Sequence, residues 1–368
     1  MTTVRAAILH ECPGWLDIGT IDVDEPARNE VLVRTAAAGL CHSDLHWMEG
    51  KYPPQLPLVV GHESAGVVEG VGADVTYIKP GDHVITCLSV FCGECDFCVT
   101  GRPHLCRSAS VRRAPDAPPR LTEAGTAVHT VGQLGSFAEA MLVHERALVK
   151  IDDAMPLDRA ALIGCSTITG VGAVFNTAKV PPGSTVAVVG CGGVGLNVIQ
   201  GAALAGASRV IAIDLSESKL KLARHFGATD TIDASRVDAV STVIELTGGG
   251  VEYSFEAIGL RATAEQAFGM LGRGGTATVI GLIPQGEQVS VPANELWTGE
   301  KRLQGSTMGS NRFRRDIPRL IDLYLQGRLN LDDLVSTRIT LDQVNDGLRA
   351  LQNGEVVGRS VIGFPSVA

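Results

Sequence analysis

Several features are scarce in this 368-residue chain, and each scarcity removes a class of function. Basic residues do not dominate: 31 Lys and Arg stand against 40 Asp and Glu, a formal charge of −9. Binding to nucleic-acid phosphates or to an anionic membrane surface relies on clustered Lys and Arg, so neither partner is expected. An export signal is lacking as well. Ala6 to Leu9 is too short for its apolar segment, and His10 and Glu11 interrupt it, so a cytoplasmic protein is expected. An unbroken apolar run of membrane length is also missing. The stretch between Lys179 and Arg209 has no charge, but Pro181, Pro182, Asn197, Gln200 and several glycines break it. A strand and a helix buried on both sides give the same pattern, so it reads as core. No internal repeat or low-complexity segment is visible.

What is present describes a globular protein, with 45% hydrophobic and 19% charged residues. A single core usually stops growing at roughly 250 to 300 residues, so two domains are expected. Nine cysteines without an export signal point to metal or catalysis rather than disulfides.

Thr185 to Asp214 organises the chain. A strand-length run, Thr185 to Val189, leads into Gly190, Gly192 and Gly195, a G-x-G-x-x-G pattern that opens an apolar helix through Gly193 and Val194. The first glycine permits a tight turn, the second lets a pyrophosphate approach the backbone, and the third lets the helix pack close to the strand. The helix N-terminus offers free N–H groups to the phosphates. A second strand ends on Asp214, placed to accept the adenosine ribose hydroxyls or, in a plainer role, to cap the following helix, which carries Lys219. Further strands near 229–232, 251–256, 275–281 and 302–307 alternate with helices, which predicts a doubly wound parallel α/β sheet.

Upstream, residues 4–9, 15–22 and 31–38 have short β patterns that suit an antiparallel β-rich domain. Cys41-His42-Ser43-Asp44-Leu45-His46 and Gly61-His62-Glu63 are dense in metal-ligand and proton-transfer types. Cys41, His62 and the distant Cys165 compose a three-ligand zinc set with one position open; only the fold can unite them, and Cys165 alone also fits a buried thiol. Cys92, Cys95 and Cys98 at C-x-x-C-x-x-C spacing, then Cys106, carry the sharper signal. Four thiolates close a structural zinc shell; two disulfides or an iron-sulfur cluster are the competing readings. Residues 107–134 read as a surface loop whose arginines, among them Arg112, Arg113 and Arg120, are either solvated or available to an anionic substrate group. Helices are expected over Pro156 to Ile163, Cys165 to Asn176, Phe313 to Gln326 and Leu341 to Asn353.

These motifs, in this order and over essentially the whole chain, resemble the zinc-dependent medium-chain alcohol dehydrogenases; the C-terminal Gly358-Arg359-Ser360 belongs to the same pattern. The resemblance implies a GroES-like catalytic domain over 1–166 and 308–368, with a structural zinc lobe at 91–107, and a Rossmann NAD-binding domain over 167–307. It implies two zinc ions per chain. The catalytic one would sit on Cys41, His62 and Cys165, with Glu63 as neighbour or alternate ligand and Asp44 orienting His62. Ser43 would take the alcohol proton and pass it through the ribose hydroxyls to His46, and the nicotinamide would lie near Thr169. Alone, His46 would read as a surface histidine. His42 stands where many members carry a pyrophosphate-binding arginine, and Arg359 resembles the other one. Tyr52, Leu88 and Leu282 would face the substrate.

Zinc lowers the pKa of bound water from about 15.7 to about 7; a similar effect on an alcohol is worth on the order of 12 kcal/mol, which makes the metal the largest single contribution. Primary alcohols and aldehydes, aliphatic of medium length or aromatic, are the expected substrates with NAD as cofactor, in a homodimer or homotetramer. The alternative is the branch that oxidises formaldehyde adducts of glutathione- or mycothiol-type thiols, although the glutathione-dependent branch places an acid where Tyr52 stands. Some members of the family retain their nicotinamide and need an external acceptor.

Overall fold

The computed structural model describes residues 1–114 and 116–365. Two compact units divide the chain: Met1–Cys165 with Arg312–Gly327 and Leu331–Ala368, and Ser166–Asn311 with Arg328–Asn330. The last three residues of the expected catalytic domain lie outside the described residues.

The first unit is built on the strand Glu30–Gly39, whose sequence EVLVRTAAAG is β-branched where it needs width and alanine where neighbours press close. Along its length it pairs antiparallel with Ser64–Val71, Ala140–His144 and Arg359–Gly363. Register decides what gathers at its end. Ala38 lies opposite Ser64 and Gly39 opposite Val361, so the residues just past these strand ends meet at one rim. Two bonds fasten that rim: Gly39 N–H to Glu63 O at 2.7 Å and Leu40 N–H to Ser360 O at 2.9 Å. A second, six-stranded sheet contains Thr2–Leu9 paired with Asp17–Val23. Leu9, Leu40, Phe137, Leu348 and Ile362 form part of one core cluster of this unit, each at most 1% exposed.

Segment 107–134 is not the open loop the sequence suggests. Leu121–Glu123, Thr126–Ala127 and His129–Thr130 are short strands of the six-stranded sheet. Buried Val111, Leu121, Val128 and Val131 pin the segment inward. Two of its arginines are engaged by acids while also lining a cavity of the first unit. Arg120 Nε donates to Glu30 at 2.6 Å and Arg113 Nη2 to the same carboxylate at 2.7 Å, while Arg113 Nη1 reaches Asp24 at 2.9 Å. Glu30 is 3% exposed, so the pattern is a buried charge compensated from a distant segment. Arg112 stays exposed.

The second unit is a parallel sheet of β1 (Thr185–Val189), β2 (Arg209–Asp214), β3 (Asp230–Asp233), β4 (Val251–Glu256), β5 (Leu271–Val279) and β6 (Arg302–Gly305). Their spatial order is 3-2-1-4-5-6, the doubly wound arrangement, with a reversal between β1 and β4. β1 and β2 read as continuous apolar runs because both faces of a parallel sheet are covered.

Instead of two separate helices, residues 157–178 form one helical run, α-helical at Leu157–Leu162 and Ile168–Gly172, with π turns at Ile163–Thr167 and Ala173–Ala178. No proline interrupts the run to force a break. Its most apolar window is long enough to cross a bilayer, but 83% of it is buried in the fold. Helices Phe313–Leu325 and Val344–Gln352 follow the expected amphipathic patterns, the second preceded by a 3₁₀ turn with a Thr340/Gln343 capping box.

Burial alone would raise the Glu30 pKa, but the charge and hydrogen bonds of Arg120 and Arg113 hold it below the ordinary value of 4.5. This group's stabilisation is therefore complete above that ordinary value and lost as pH falls through the lowered one. Glu30→Ala leaves two largely but not fully buried guanidinium groups short of a partner and should cost on the order of 3 to 5 kcal/mol in urea unfolding at neutral pH. The gap to wild type should shrink on acidification; a loss below about 1 kcal/mol, the range of an exposed pair, would contradict the assignment.

Candidate active site

Cys41 follows the rim-fastened Leu40 and serves as N-cap of the helix His42–Met48. Asp44, at the third position of that helix, is fully buried and receives three groups: Cys41 N–H at 3.0 Å, Gly61 N–H at 3.2 Å and His62 Nδ1 at 3.0 Å. The bond to Cys41 N–H is half of a capping box, so helix initiation and histidine orientation use one carboxylate. With Nδ1 facing Asp44, His62 is left with Nε2 as its ligand atom.

Cys165 arrives on the π turn Ile163–Thr167. Gly164 beside it admits no side chain, because a Cβ there would stand 2.2 Å from Thr86 O. The ligand atoms of Cys41, His62 and Cys165 lie within 4.8 Å of one another, and all three residues are buried. Glu63, expected as a neighbour or alternate ligand, stands outside that group, with its carboxylate 3.9 Å from Arg359 Nη1.

Electrostatics favour a thiolate at the centre. A hydrogen bond with Cys165, helped by Arg359 and His62, holds Cys41 well below the usual thiol range, while Cys165 is pushed up by the sulfur beside it and by burial. Burial opposes charge on His62, but Asp44 outweighs it and raises the imidazole. Two soft sulfurs and one imidazole, mutually within reach, fit Zn²⁺ and leave one tetrahedral position open.

The second cysteine group fits a closed shell. Tetrahedral Zn–S bonds of about 2.3 Å set sulfur–sulfur edges of about 3.8 Å. The Cys95–Cys98, Cys95–Cys106 and Cys92–Cys98 separations are 3.5, 3.8 and 3.9 Å. Disulfides need about 2.05 Å, and all nine cysteines are free, so the disulfide reading is set aside. Backbone N–H groups of Glu94 and Cys95 point at Cys92 Sγ at 3.5 and 3.3 Å and draw its pKa down to about 6.

In the second unit the three glycines differ as their uses require. Gly190 has φ +94°, a left-handed turn. A Cβ on Gly195 would lie 1.8 Å from Gly190 O, so the helix packs there against the turn. At Gly192 a Cβ would meet nothing within 4 Å, which leaves the backbone open to a ligand. Gly192 caps the helix Gly193–Leu204, with Val194 half-buried in its first turn. Asp214 Oδ2 accepts Cys191 N–H of the glycine turn at 2.8 Å, and its Oδ1 accepts the N–H of Ser216, the N-cap of the following helix, at 3.0 Å. Lys219 is close enough to influence the Cys191 thiol. This cradle fits a dinucleotide.

The remaining expected residues are more scattered. Ser43 Oγ is 3.7 Å from Cys41 Sγ. His46 is half-buried, its Nδ1 without a partner among the described residues, and burial together with Lys51 lowers its pKa below 6.5. His42 is exposed. Arg359 is only 4% exposed, donates Nη1 to Leu40 O at 2.9 Å and faces Glu63 and the thiolates, because its strand pairs beside Gly39. Thr169 is buried with its hydroxyl 3.6 Å from Met308 Sδ. Tyr52 packs near the His46 and Trp47 rings, Leu88 against Gly132, and Leu282 lies in the other unit, 41% exposed. A cavity of about 460 Å³ in the first unit is lined by Trp47, Pro53, Pro54, Leu58 and Val131, but not by Tyr52 or Leu88. Sequence reasoning passes over Glu256, the buried acid closing β4; an acid ending a strand of the sheet core is the signal that marks it.

Comparison with known proteins agrees with this geometry. Residues 27–153 match the family model for the alcohol dehydrogenase GroES-like domain, and residues 193–326 match that for zinc-binding dehydrogenases. A Mycobacterium tuberculosis protein provisionally called alcohol dehydrogenase D is 40% identical over 97% of this chain and 98% of its own length. An NDMA-dependent alcohol dehydrogenase of Amycolatopsis methanolica is 38% identical over 97% and 98%. The crystal structure of benzyl alcohol dehydrogenase from Acinetobacter calcoaceticus is similar at a TM-score of 0.93 and 33% identity, covering 99% of this chain and 100% of that one.

Elemental analysis should find about two zinc ions per chain, one for each cysteine-containing group. Cys95→Ser should lower the folded yield, whereas Cys41→Ser should give folded protein with about one zinc and no activity. Iron, or a single metal in folded wild type, would contradict the assignment.

Proposed function

The chain belongs to the zinc-dependent medium-chain dehydrogenase/reductase family, a GroES-like domain joined to a Rossmann domain, and from that premise we propose that it interconverts uncharged primary alcohols and aldehydes with NAD. The observation that carries the reading is the buried Cys41, His62 and Cys165 group, which has three ligands where a structural shell has four. Zinc there would acidify a coordinating hydroxyl, and a dinucleotide whose pyrophosphate rests on the glycine cradle would supply a nicotinamide as hydride acceptor.

The chain's own residues supply the rest. Asp44 holds His62 in one tautomer and orientation, which keeps the ligand atom in place. Arg359 and Glu63 oppose each other beside the sulfurs, so the buried centre keeps a compensated charge. His46, neutral at pH 7 because its pKa is lowered, is able to take up a proton; Ser43 beside Cys41 stands at the start of the path. Asp214 would meet a 2′-phosphate with like charge, which favours NAD over NADP. A cytoplasmic homodimer or homotetramer remains the expected form.

Similarity to the relative named NDMA-dependent favours a second arrangement, in which the nicotinamide stays bound and an external acceptor regenerates it. The ultraviolet spectrum and mass of whatever cofactor co-purifies separates the two. An apolar pocket rewards each buried methylene by about 0.8 kcal/mol, so kcat/KM with NAD should climb from ethanol to hexanol or benzyl alcohol, and NADP should be at least roughly tenfold poorer. Turnover of formaldehyde only in the presence of a thiol would replace this reading with the thiol-adduct one.

His46→Gln should slow oxidation by roughly 10² to 10⁴-fold where the relay matters. Because the His46 pKa lies below 6.5, the wild-type imidazole is still a free base slightly below neutral pH, where bulk base is scarce. The defect should be largest in that window, shrink at alkaline pH and be partly rescued by added buffer base. An unchanged pH–rate profile would remove His46 from the reaction.

A further inference from the structure

The strand order of the second unit reverses between β1 and β4, and ligands of doubly wound sheets bind in the crevice at such a point. Glu256 closes β4 there, fully buried. Its Oε1 accepts Ile258 N–H at 2.8 Å and Gly259 N–H at 2.7 Å and shares the Thr263 hydroxyl, 2.8 Å away, with Leu260 O at 2.9 Å; its Oε2 has no partner among the described residues. Its main-chain carbonyl accepts Ile280 N–H at 2.9 Å and Gly281 N–H at 3.1 Å.

One residue thereby joins three segments at the mouth of the sheet: the loop after β4, the loop after β5 and the start of the helix Arg261–Gly269. The fit leaves no slack, since a Cβ on Gly281 would stand 2.6 Å from Glu256 Oε2 and 2.1 Å from Gly259 N. The first loop carries Ile258, 44% exposed, whose side chain covers Gly190: a Cβ on that glycine would meet it at 2.5 Å. The second carries Leu282, 41% exposed. The buried, multiply bonded carboxylate thus fixes two exposed apolar side chains at the switch point of the sheet, where a bound ligand would meet them.

We infer that Glu256 is a positioning residue for the cofactor: by fixing the loops that carry Ile258 and Leu282 it shapes the apolar edges of the crevice, and nicotinamide affinity depends on its carboxylate although it lies beneath the contact surface. This rests on the nicotinamide reading above. A purely structural Glu256 would lower thermal stability and leave the affinity of the folded protein alone.

The test is titration of zinc-loaded wild type, Glu256→Gln, Glu256→Ala and Thr263→Val with NADH, followed by its fluorescence, alongside zinc content and steady-state kinetics. Glu256→Gln keeps an acceptor oxygen and should bind within about threefold of wild type. Glu256→Ala should bind at least about tenfold more weakly, which is about 1.4 kcal/mol. KM for NAD should rise in parallel, while zinc content and kcat at saturating NAD stay near wild type. Thr263→Val, which removes one donor at a half-exposed position, should fall between these. A folded Glu256→Ala that binds NADH like wild type overturns the inference; if that variant does not fold, unchanged affinity in Thr263→Val overturns it. Wild type that binds no NADH while holding two zinc ions, and co-purifies with no nicotinamide, overturns the cofactor reading itself.

Discussion

Backbone pairing at the end of the strand Glu30–Gly39 is the constraint on which the candidate metal centre depends. Ala38 opposite Ser64 and Gly39 opposite Val361 bring Cys41, His62, Glu63 and Arg359 to one rim from three separate stretches of chain. Side-chain alternation has a period of two, so a slip of one residue in either pairing would turn the strand's buried face outward and move a ligand or its compensating charge away. The ladder is thus fixed by the core, and the site inherits its precision from the ladder rather than from the ligands' own attraction.

Charge compensation follows the same frame. Asp44 answers His62, and Arg359 answers Glu63 and the Cys41 sulfur, all with little or no exposure. Each would be expensive alone in a medium of low dielectric constant; together they form a network in which every charge has an opposite within reach. Glu30, with Arg113 and Arg120, repeats this away from the site and turns a segment rich in proline and arginine into part of a sheet.

The cofactor unit achieves order by different means. Glycines at 190, 192 and 195 set turn, opening and packing, and the acids Asp214 and Glu256 at the ends of β2 and β4 gather N–H donors from the loops beyond. Strand ends of a parallel sheet leave loop N–H groups without ladder partners, and a carboxylate at the last strand position is a compact way to satisfy several of them.

The sequence by itself determined whatever depends on local order. Glycine spacing after a strand, an acid after the next strand, four closely spaced cysteines and the alternation of strands with helices are read within windows shorter than a supersecondary unit, and they sufficed for the Rossmann sheet and the closed cysteine shell. Tertiary structure decided what depends on segments far apart in the chain. Cys165 meets Cys41 and His62 only because a π turn and Gly164 fit against Thr86; Arg359 turns toward Glu63 because its strand pairs beside Gly39; Arg113 and Arg120 meet Glu30, which lies 83 and 90 residues earlier. The physical reason is common to all three: pairing register and buried charge compensation are properties of contacts, and a contact between distant segments leaves no periodicity or spacing in the sequence that would announce it.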